Sequence, residues 1–318
     1  MAAQTSAELR KAGELCFLRL MESPIIQTIT PVTHDLGDFK VNRTLPGRQR
    51  TMVGPFIFVD EFGPARLPAG RGMDVRPHPH INLATVTYLF EGKIEHRDSI
   101  GSHQVIEPGA INLMTAGSGI VHSERSPQAV RAEGASMYGM QTWLALPDGR
   151  EEIAPAFDHV PSEALPLVEN GGASARVLMG TLWGATAGTP QHSPTIYADI
   201  ELGAGGAIPI DSDADERAVM LVGGEAELDG QRLDPFALYI LRPGHNAALS
   251  SATGGRLMLM GGQAFPTRRY VFWNFVSSSR DRINQAKEDW KALRFALIPG
   301  DDQEYIPLPE VPLTVSYP

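Results

Sequence analysis

The chain holds a single cysteine, Cys16, among 318 residues. One thiol closes no intrachain disulfide and builds no thiolate cage, so any metal must sit on imidazole and carboxylate. A reducing compartment, the cytoplasm, is the expected location. Basic residues are also scarce, 27 against 37 acids, for a formal net charge of -10. That balance supplies no positive field for a polyanion and argues against direct nucleic-acid binding. No run of about 18 uncharged apolar residues occurs, so no membrane-spanning segment is expected. Residues 1–24 mix Glu8, Arg10, Lys11 and Glu14 with Leu9, Leu15 and Phe17. Lacking an unbroken apolar stretch, they read as a leader, either a short helix or disordered, and not as a signal peptide.

What the chain does hold is 42% hydrophobic residues, 32 Gly and 25 Pro. This is enough apolar chain for two cored domains. From residue 25 apolar residues come in short alternating runs, at 53–59, 84–90, 111–114 and 138–146, then at 195–202, 218–222, 237–241 and 256–260. Separated by Gly and Pro turns, such runs predict an all-β sandwich or barrel. The stretch 151–175 keeps neither period and reads as a linker, which leaves an N-terminal domain at 25–150 and a C-terminal one at 176–318. The two halves resemble each other: TVTYLFEG at 85–92 parallels RAVMLVGG at 217–224, and VIEPGA at 105–110 parallels RLDPFA at 232–237. One helix is predicted near 279–294, where Ser278 and Asp281 fit a capping box. Ile283, Ala286, Trp290 and Leu293 recur there at helical spacing, a face suited to covering a sheet.

Five of the nine histidines fall between His78 and His122. His78 and His80 stand at i, i+2, which in a strand puts both rings on one face. His122 and Glu124 repeat that spacing. If the two strands face each other across a small barrel, three imidazoles and one carboxylate meet, a set that suits Fe(II), Mn, Ni, Cu or Zn. His96 and His103 flank a predicted turn and read as solvated, with Arg97 and Asp98 as a local ion pair. His34, His159 and His192 read as surface residues, and His245 as structural. The second half carries no imidazole pair at 210–212 or 248–249, so no metal is expected there.

The glycines frame the histidines further. Gly72, His78-x-His80, Thr85 and Gly92 follow the first cupin motif, with Thr85 where that motif usually carries a glutamate ligand. Gly117-x-Gly119-x-x-His122 approximates the second, with Gly117 in place of proline, and Glu124 restores the missing carboxylate. Together with the whole block from His78 to Arg125, VGPFIFVDEFGPARLP from Val53, YGMQTWLALP from Tyr138 and WNFVSSSRDRINQAKEDWKALRF from Trp273, these motifs give a chain that resembles the pirin family over about residues 37–309.

The resemblance implies an all-β protein of two cupin (jelly-roll β-barrel) domains in tandem with a C-terminal helix, and a monomer whose sheet edges are covered. It implies one iron, Fe(II), in the N-terminal domain, with the family's ligands carried onto His78, His80, His122 and Glu124. Two functions follow from it. One is a dioxygenase that opens flavonols such as quercetin, with Glu124 accepting the proton of the substrate hydroxyl. Phe56, Phe58, Met73, Asn82 and Met114 are the expected pocket residues. The other is a redox-sensing iron protein acting through a protein partner, as a transcriptional co-regulator or a modulator of a metabolic enzyme. INLA at 81–84 stands where many pirins read Arg-Gly-Phe-Glu, a departure beside the ligands that is expected to line the same region, so the resemblance carries metal binding further than substrate preference.

Overall fold

The computed structural model describes residues 23–35, 39–210, 213–311 and 314–316. Most of the predicted leader, with Cys16, lies outside the described residues. The alternating runs form two β-sandwiches of one plan, each a seven-stranded sheet packed on a four-stranded one. In the first, the large sheet runs Ala156–Val160, Ile111–Thr115, Leu83–Glu91, Ala135–Ala145, Phe56–Leu67, Lys40–Leu45, Val32–Asp35. Its small sheet runs Asp74–His80, Ile120–Arg125, Ile94–Asp98, His103–Ile106. In the second, the large sheet runs Ile25–Ile29, Leu238–Leu241, Glu216–Gly224, Gly255–Gly262, Thr195–Leu202, Ala173–Met179, Leu167–Asn170. The small one runs Ala207–Ile210, Ala247–Ser250, Glu227–Leu228, Gln231–Arg232. The repeated sequence blocks therefore occupy matching places: Leu83–Glu91 and Glu216–Gly224 are each third in their sheets.

Two boundaries differ from the sequence reading. The stretch 151–175 is no loose linker. It gives Ala156–Val160 to one large sheet and Leu167–Asn170 to the other, both as edge strands. An edge strand with exposed and half-buried side chains shows no apolar alternation, which is why the pattern was silent there. Ile25–Ile29 in turn pairs with Leu238–Leu241 and belongs to the second sandwich. Among the described residues no further strand pairs with the outer edges of Val32–Asp35 and Leu167–Asn170, where Val32 is 59% and Leu167 51% exposed.

The large sheets share one continuous apolar core, in which Phe56, Val86 and Tyr88 pack with Tyr197, Ile200 and Met258. Phe56 meets Tyr197 edge-on, with ring centres 5.3 Å apart. Tyr88 donates its hydroxyl to Asp199 at 2.7 Å, and Arg256 closes a second pair on the same carboxylate while lying over the Phe90 ring. Buried charge is tolerable there because Tyr88, Asp199 and Arg256 satisfy one another.

The predicted helix spans Arg280–Lys291. Its cap is Ser279, whose hydroxyl accepts from the N–H of Arg282, one residue later than the capping-box reading, because Ser278 is engaged by Glu151. Ile283, Ala286 and Trp290 pack with Ile81 and Val121 of the first sandwich and with Phe275 of the C-terminal strand Phe275–Ser277, whereas Leu293 lies past the helix end and is 55% exposed. The indole N–H of Trp290 donates to the carbonyl of Ile306. The C-terminal stretch thus crosses back over the first sandwich, while the strand at 25–29 crosses into the second.

Glu61 is buried on the strand Phe56–Leu67. Its Oε2 accepts from Asn42 at 2.7 Å, and its Oε1 has no partner among the described residues. Burial pushes its carboxyl up to about 7, against the pull of the Asn42 hydrogen bond, with the nearby Asp60 adding to the rise. A carboxyl raised on folding gives stability that is whole below its ordinary value of 4.5 and is lost as pH rises through about 7. Glu61→Gln is therefore expected to gain stability relative to the native chain across that window, read from denaturant midpoints. A difference that does not change with pH would contradict this account.

Candidate metal centre

Strands Asp74–His80 and Ile120–Arg125 pair antiparallel, with His78 opposite His122 and His80 opposite Ile120. The pleat sends all three imidazoles into the interior of the first sandwich. Their ligand atoms lie within 4.8 Å of one another, a group able to hold a metal ion. Glu124 lines the same cavity as His78 and His80. The turn that delivers His122 depends on Gly117, whose φ of 50° lies in the left-handed region and where a Cβ would collide with the carbonyl oxygen of Ile153. Proline, fixed near φ of about −65°, is excluded from this conformation. That accounts for the departure from the usual motif.

The hydrogen bonds behind the rings set what the front nitrogens offer. Nδ1 of His78 donates to the carbonyl of Arg76 at 2.8 Å, and Nδ1 of His80 to that of Asn274 at 3.2 Å. A carbonyl only accepts, so each ring carries its proton on Nδ1 and leaves Nε2 bare. Nε2 of His80 and Nε2 of His122 then stand 3.1 Å apart. Burial drives His78 down to about 4, the Arg76 carbonyl opposing and His96 adding. His80 and His122 fall well below the ordinary value for the same first reason, with neighbouring imidazoles second. Neutral imidazoles with converging lone pairs in a desolvated interior fit a metal ion and fit little else. Burial raises the Glu124 carboxyl, against the pull of His96, Thr87 and Gln141.

The cavity in front of the cluster measures about 210 Å³. Phe58 and Met73 line it. Phe56, Met114 and Asn82, expected to shape it, do not. Phe56 is in the core between the sandwiches, and Met114 packs with Ile57 and Leu83. Asn82, at φ 57°, turns away to bond the Glu151 carbonyl and Glu152. No other residue of 81–84 lines the cavity either: Ile81 packs under the C-terminal helix, and Leu83 and Ala84 belong to the core. The sequence departure at 81–84 thus alters support behind the ligands, not the cavity wall. The wall is instead a layered set of flat groups. Trp143 stands edge-on to His80 at 5.1 Å, Phe58 stacks on Trp143 at 3.9 Å, and the Arg43 guanidinium lies over Phe58 at 4.3 Å. Arg43 makes a two-pronged pair with Asp60, both bonds at 2.7 Å. Trp273, Asn274 and Ile306 of the C-terminal stretch complete the enclosure.

Sequence reasoning missed several of these. His96, read as solvated, is 3% exposed on the strand Ile94–Asp98, its ring stacked on Phe157. The signal was present in Ile94, His96 and Asp98, which alternate inward as His78 and His80 do. Asp98 pairs with His96, and Arg97 with Glu95. His103 is exposed as expected, whereas His34, His159 and His192 are half-buried, the last two bonded to Asn112 and Thr115. In the second sandwich the matching strands present Ile208, Ile210, Ala247 and Leu249 inward, all apolar. His245 bonds Asp229, and its carbonyl accepts from Arg217.

Residues 38–144 match the Pirin family profile, and residues 197–296 that of the pirin C-terminal cupin domain. A pirin-like protein of Caulobacter vibrioides is 48% identical over 87% of this chain and 96% of its own. A candidate quercetin 2,3-dioxygenase of Pseudomonas aeruginosa is 35% identical over 92% of each. The crystal structure of a quercetin 2,3-dioxygenase from Acinetobacter baumannii superposes with TM-score 0.84 at 34% identity, covering 92% of this chain and 97% of that one. A bacterial pirin from Escherichia coli, solved with nickel(II), shares the fold at TM-score 0.59 and 18% identity, over 74% and 98% of the two chains. Among the described residues no helix is long and apolar enough to cross a membrane.

Because His78 is held near 4 when folded and returns to 6.5 when unfolded, the unfolded chain takes up protons that the folded one refuses. The His78 contribution to the stability of the metal-free protein is expected to be whole above about 6.5 and to be lost as pH falls toward about 4. His78→Gln should flatten that slope in acid denaturation followed by tryptophan fluorescence.

Proposed function

This chain belongs to the pirin family, and on that footing we propose that it is a mononuclear iron oxygenase that opens a flat, hydroxylated aromatic of the flavonol type. The observation that carries the reading is the convergence of the His78, His80 and His122 imidazoles beside an aromatic-walled cavity. His78, His80, His122 and Glu124 are the ligands in this reading. Three neutral imidazoles and one carboxylate suit several divalent ions, and the choice of iron follows the family. When bound, the ion supplies Lewis acidity toward an enolic oxygen and a route for electrons to O2.

The chain's own residues supply the rest. The layered wall of Trp143, Phe58 and Arg43 gives a flat substrate a surface to lie against. Glu124, buried and therefore more basic than an exposed carboxylate, accepts the proton of the substrate hydroxyl as general base. Thr87 Oγ1 sits between Glu124 at 3.2 Å and Gln141 at 2.7 Å and fixes the carboxylate. Since 210 Å³ is below the ~300–1,000 Å³ usual for ligand pockets, a three-ring flavonol places its reacting edge inside and leaves a ring in the opening. The names of the relatives at 34% and 35% identity support this chemistry, and a reducing cytoplasm suits a ferrous centre.

The test is anaerobic iron loading followed by oxygen uptake with quercetin. The native protein is expected to consume oxygen, and Glu124→Gln to lose about 10²–10⁴-fold of that rate while retaining the fold. Tight iron binding without oxygen uptake would move the assignment to a redox-responsive protein acting through a protein partner.

A further inference from the structure

His122 is held from behind differently from the other two imidazoles. Its Nδ1 lies 3.4 Å from Nδ1 of His96, and Nε2 of His96 lies 3.0 Å from Oδ2 of Asp98. Both partners are buried, at 3% and 0% exposure. The second oxygen of Asp98 is already committed: Oδ1 accepts the backbone N–H of Ile100 at 3.1 Å and of Ser102 at 2.9 Å. Oδ2 alone faces the ring. A carboxylate oxygen accepts, so the ring proton of His96 sits on Nε2 and its Nδ1 is a lone pair. A proton on Nδ1 of His122 matches that lone pair and leaves Nε2 of His122 bare, facing Nε2 of His80 at 3.1 Å. Each hydrogen bond fixes the direction of the next.

We propose that Asp98 and His96 are positioning residues that set the tautomer of His122 and so deliver its Nε2 lone pair to the metal position. The carbonyls of Arg76 and Asn274 do this for His78 and His80. His122 lies on an inner strand of the small sheet, between Asp74–His80 and Ile94–Asp98, where neighbouring carbonyls are engaged in pairing. A side-chain relay takes their place. Phe157, stacked on His96 at 4.5 Å and 21°, fixes the plane of the relaying ring. The inference rests on the metal-centre reading above, in which His122 binds through Nε2.

The sharpest variant is Asp98→Asn. Asparagine keeps one oxygen, and the N–H groups of Ile100 and Ser102 claim it. The amide NH2 then faces Nε2 of His96, reverses both hydrogen bonds and puts the proton of His122 on Nε2, the wrong-tautomer outcome known for a carboxylate-to-amide change behind a histidine. His96→Gln keeps an acceptor for Nδ1 of His122, and His96→Leu keeps none.

Two readouts apply to the full chain: the His122 tautomer in the metal-free protein, from long-range 15N–1H spectra of labelled histidine, and Ni(II) affinity by chelator competition. We expect the Nδ1–H form in the native protein and the Nε2–H form in Asp98→Asn. Ni(II) affinity should fall about 10- to 100-fold in Asp98→Asn and His96→Leu, and stay within a few-fold of native in His96→Gln. The relay is overturned if native His122 carries its proton on Nε2, if Asp98→Asn keeps native tautomer and affinity, or if His96→Gln is as weak as His96→Leu. If the native protein shows the Nδ1–H form yet binds no Ni(II), the metal-centre reading fails and the relay stands.

Discussion

Three imidazoles brought together in a desolvated interior cost the fold their hydration, and the surrounding structure holds them there. Each ring is pinned by a hydrogen bond at its far nitrogen: to the carbonyl of Arg76, to the carbonyl of Asn274, and to His96 backed by Asp98. Without those bonds the rings could rotate or shift protons, and burial alone would not keep the lone pairs convergent. The cost of the arrangement falls on the folded state, because water is excluded from groups that prefer it. The shared core between the large sheets, with few polar interruptions, is where that cost is offset.

The duplication makes this division visible. Both sandwiches have the same strand order, yet the small-sheet strands that carry histidines in the first carry Ile208, Ile210, Ala247 and Leu249 in the second. A dry apolar interior packs well and needs no partners. One half is therefore free to stabilise, and the other to hold polar groups at close range. The continuous core transmits the benefit, since the two large sheets pack as one body.

Much of this was legible in the residues. The i, i+2 spacings of His78 with His80 and of His122 with Glu124 say which rings share a face, and the alternating runs name the central strands. What escaped was long-range. Nothing local to Ile25–Ile29 says that its partner is Leu238–Leu241, because an edge strand of half-exposed side chains pairs through backbone and carries little pattern of its own. The cavity wall was hidden for the same reason: Trp143, Phe58 and Trp273 come from three separate segments. His96 escaped differently. Its inward alternation was present, but the charged neighbours Glu95 and Arg97 made the segment look like a turn. Phe56 and Met114 were apolar, near the motif and buried. In a sandwich with two packed faces, those properties cannot say which face a side chain joins.

The crossing of the chain ends bears on how the protein is made. A ribosome releases the chain from its N-terminus, so Ile25–Ile29 emerges early and must wait for Leu238–Leu241 before it has a partner. The three histidines are likewise complete by residue 122, but the carbonyl that orients His80 belongs to Asn274, and part of the cavity wall is Trp273 and Ile306. The half that carries the three histidines, though first in sequence, is finished last. The surroundings of the three imidazoles are therefore incomplete in a nascent chain until synthesis has passed Ile306.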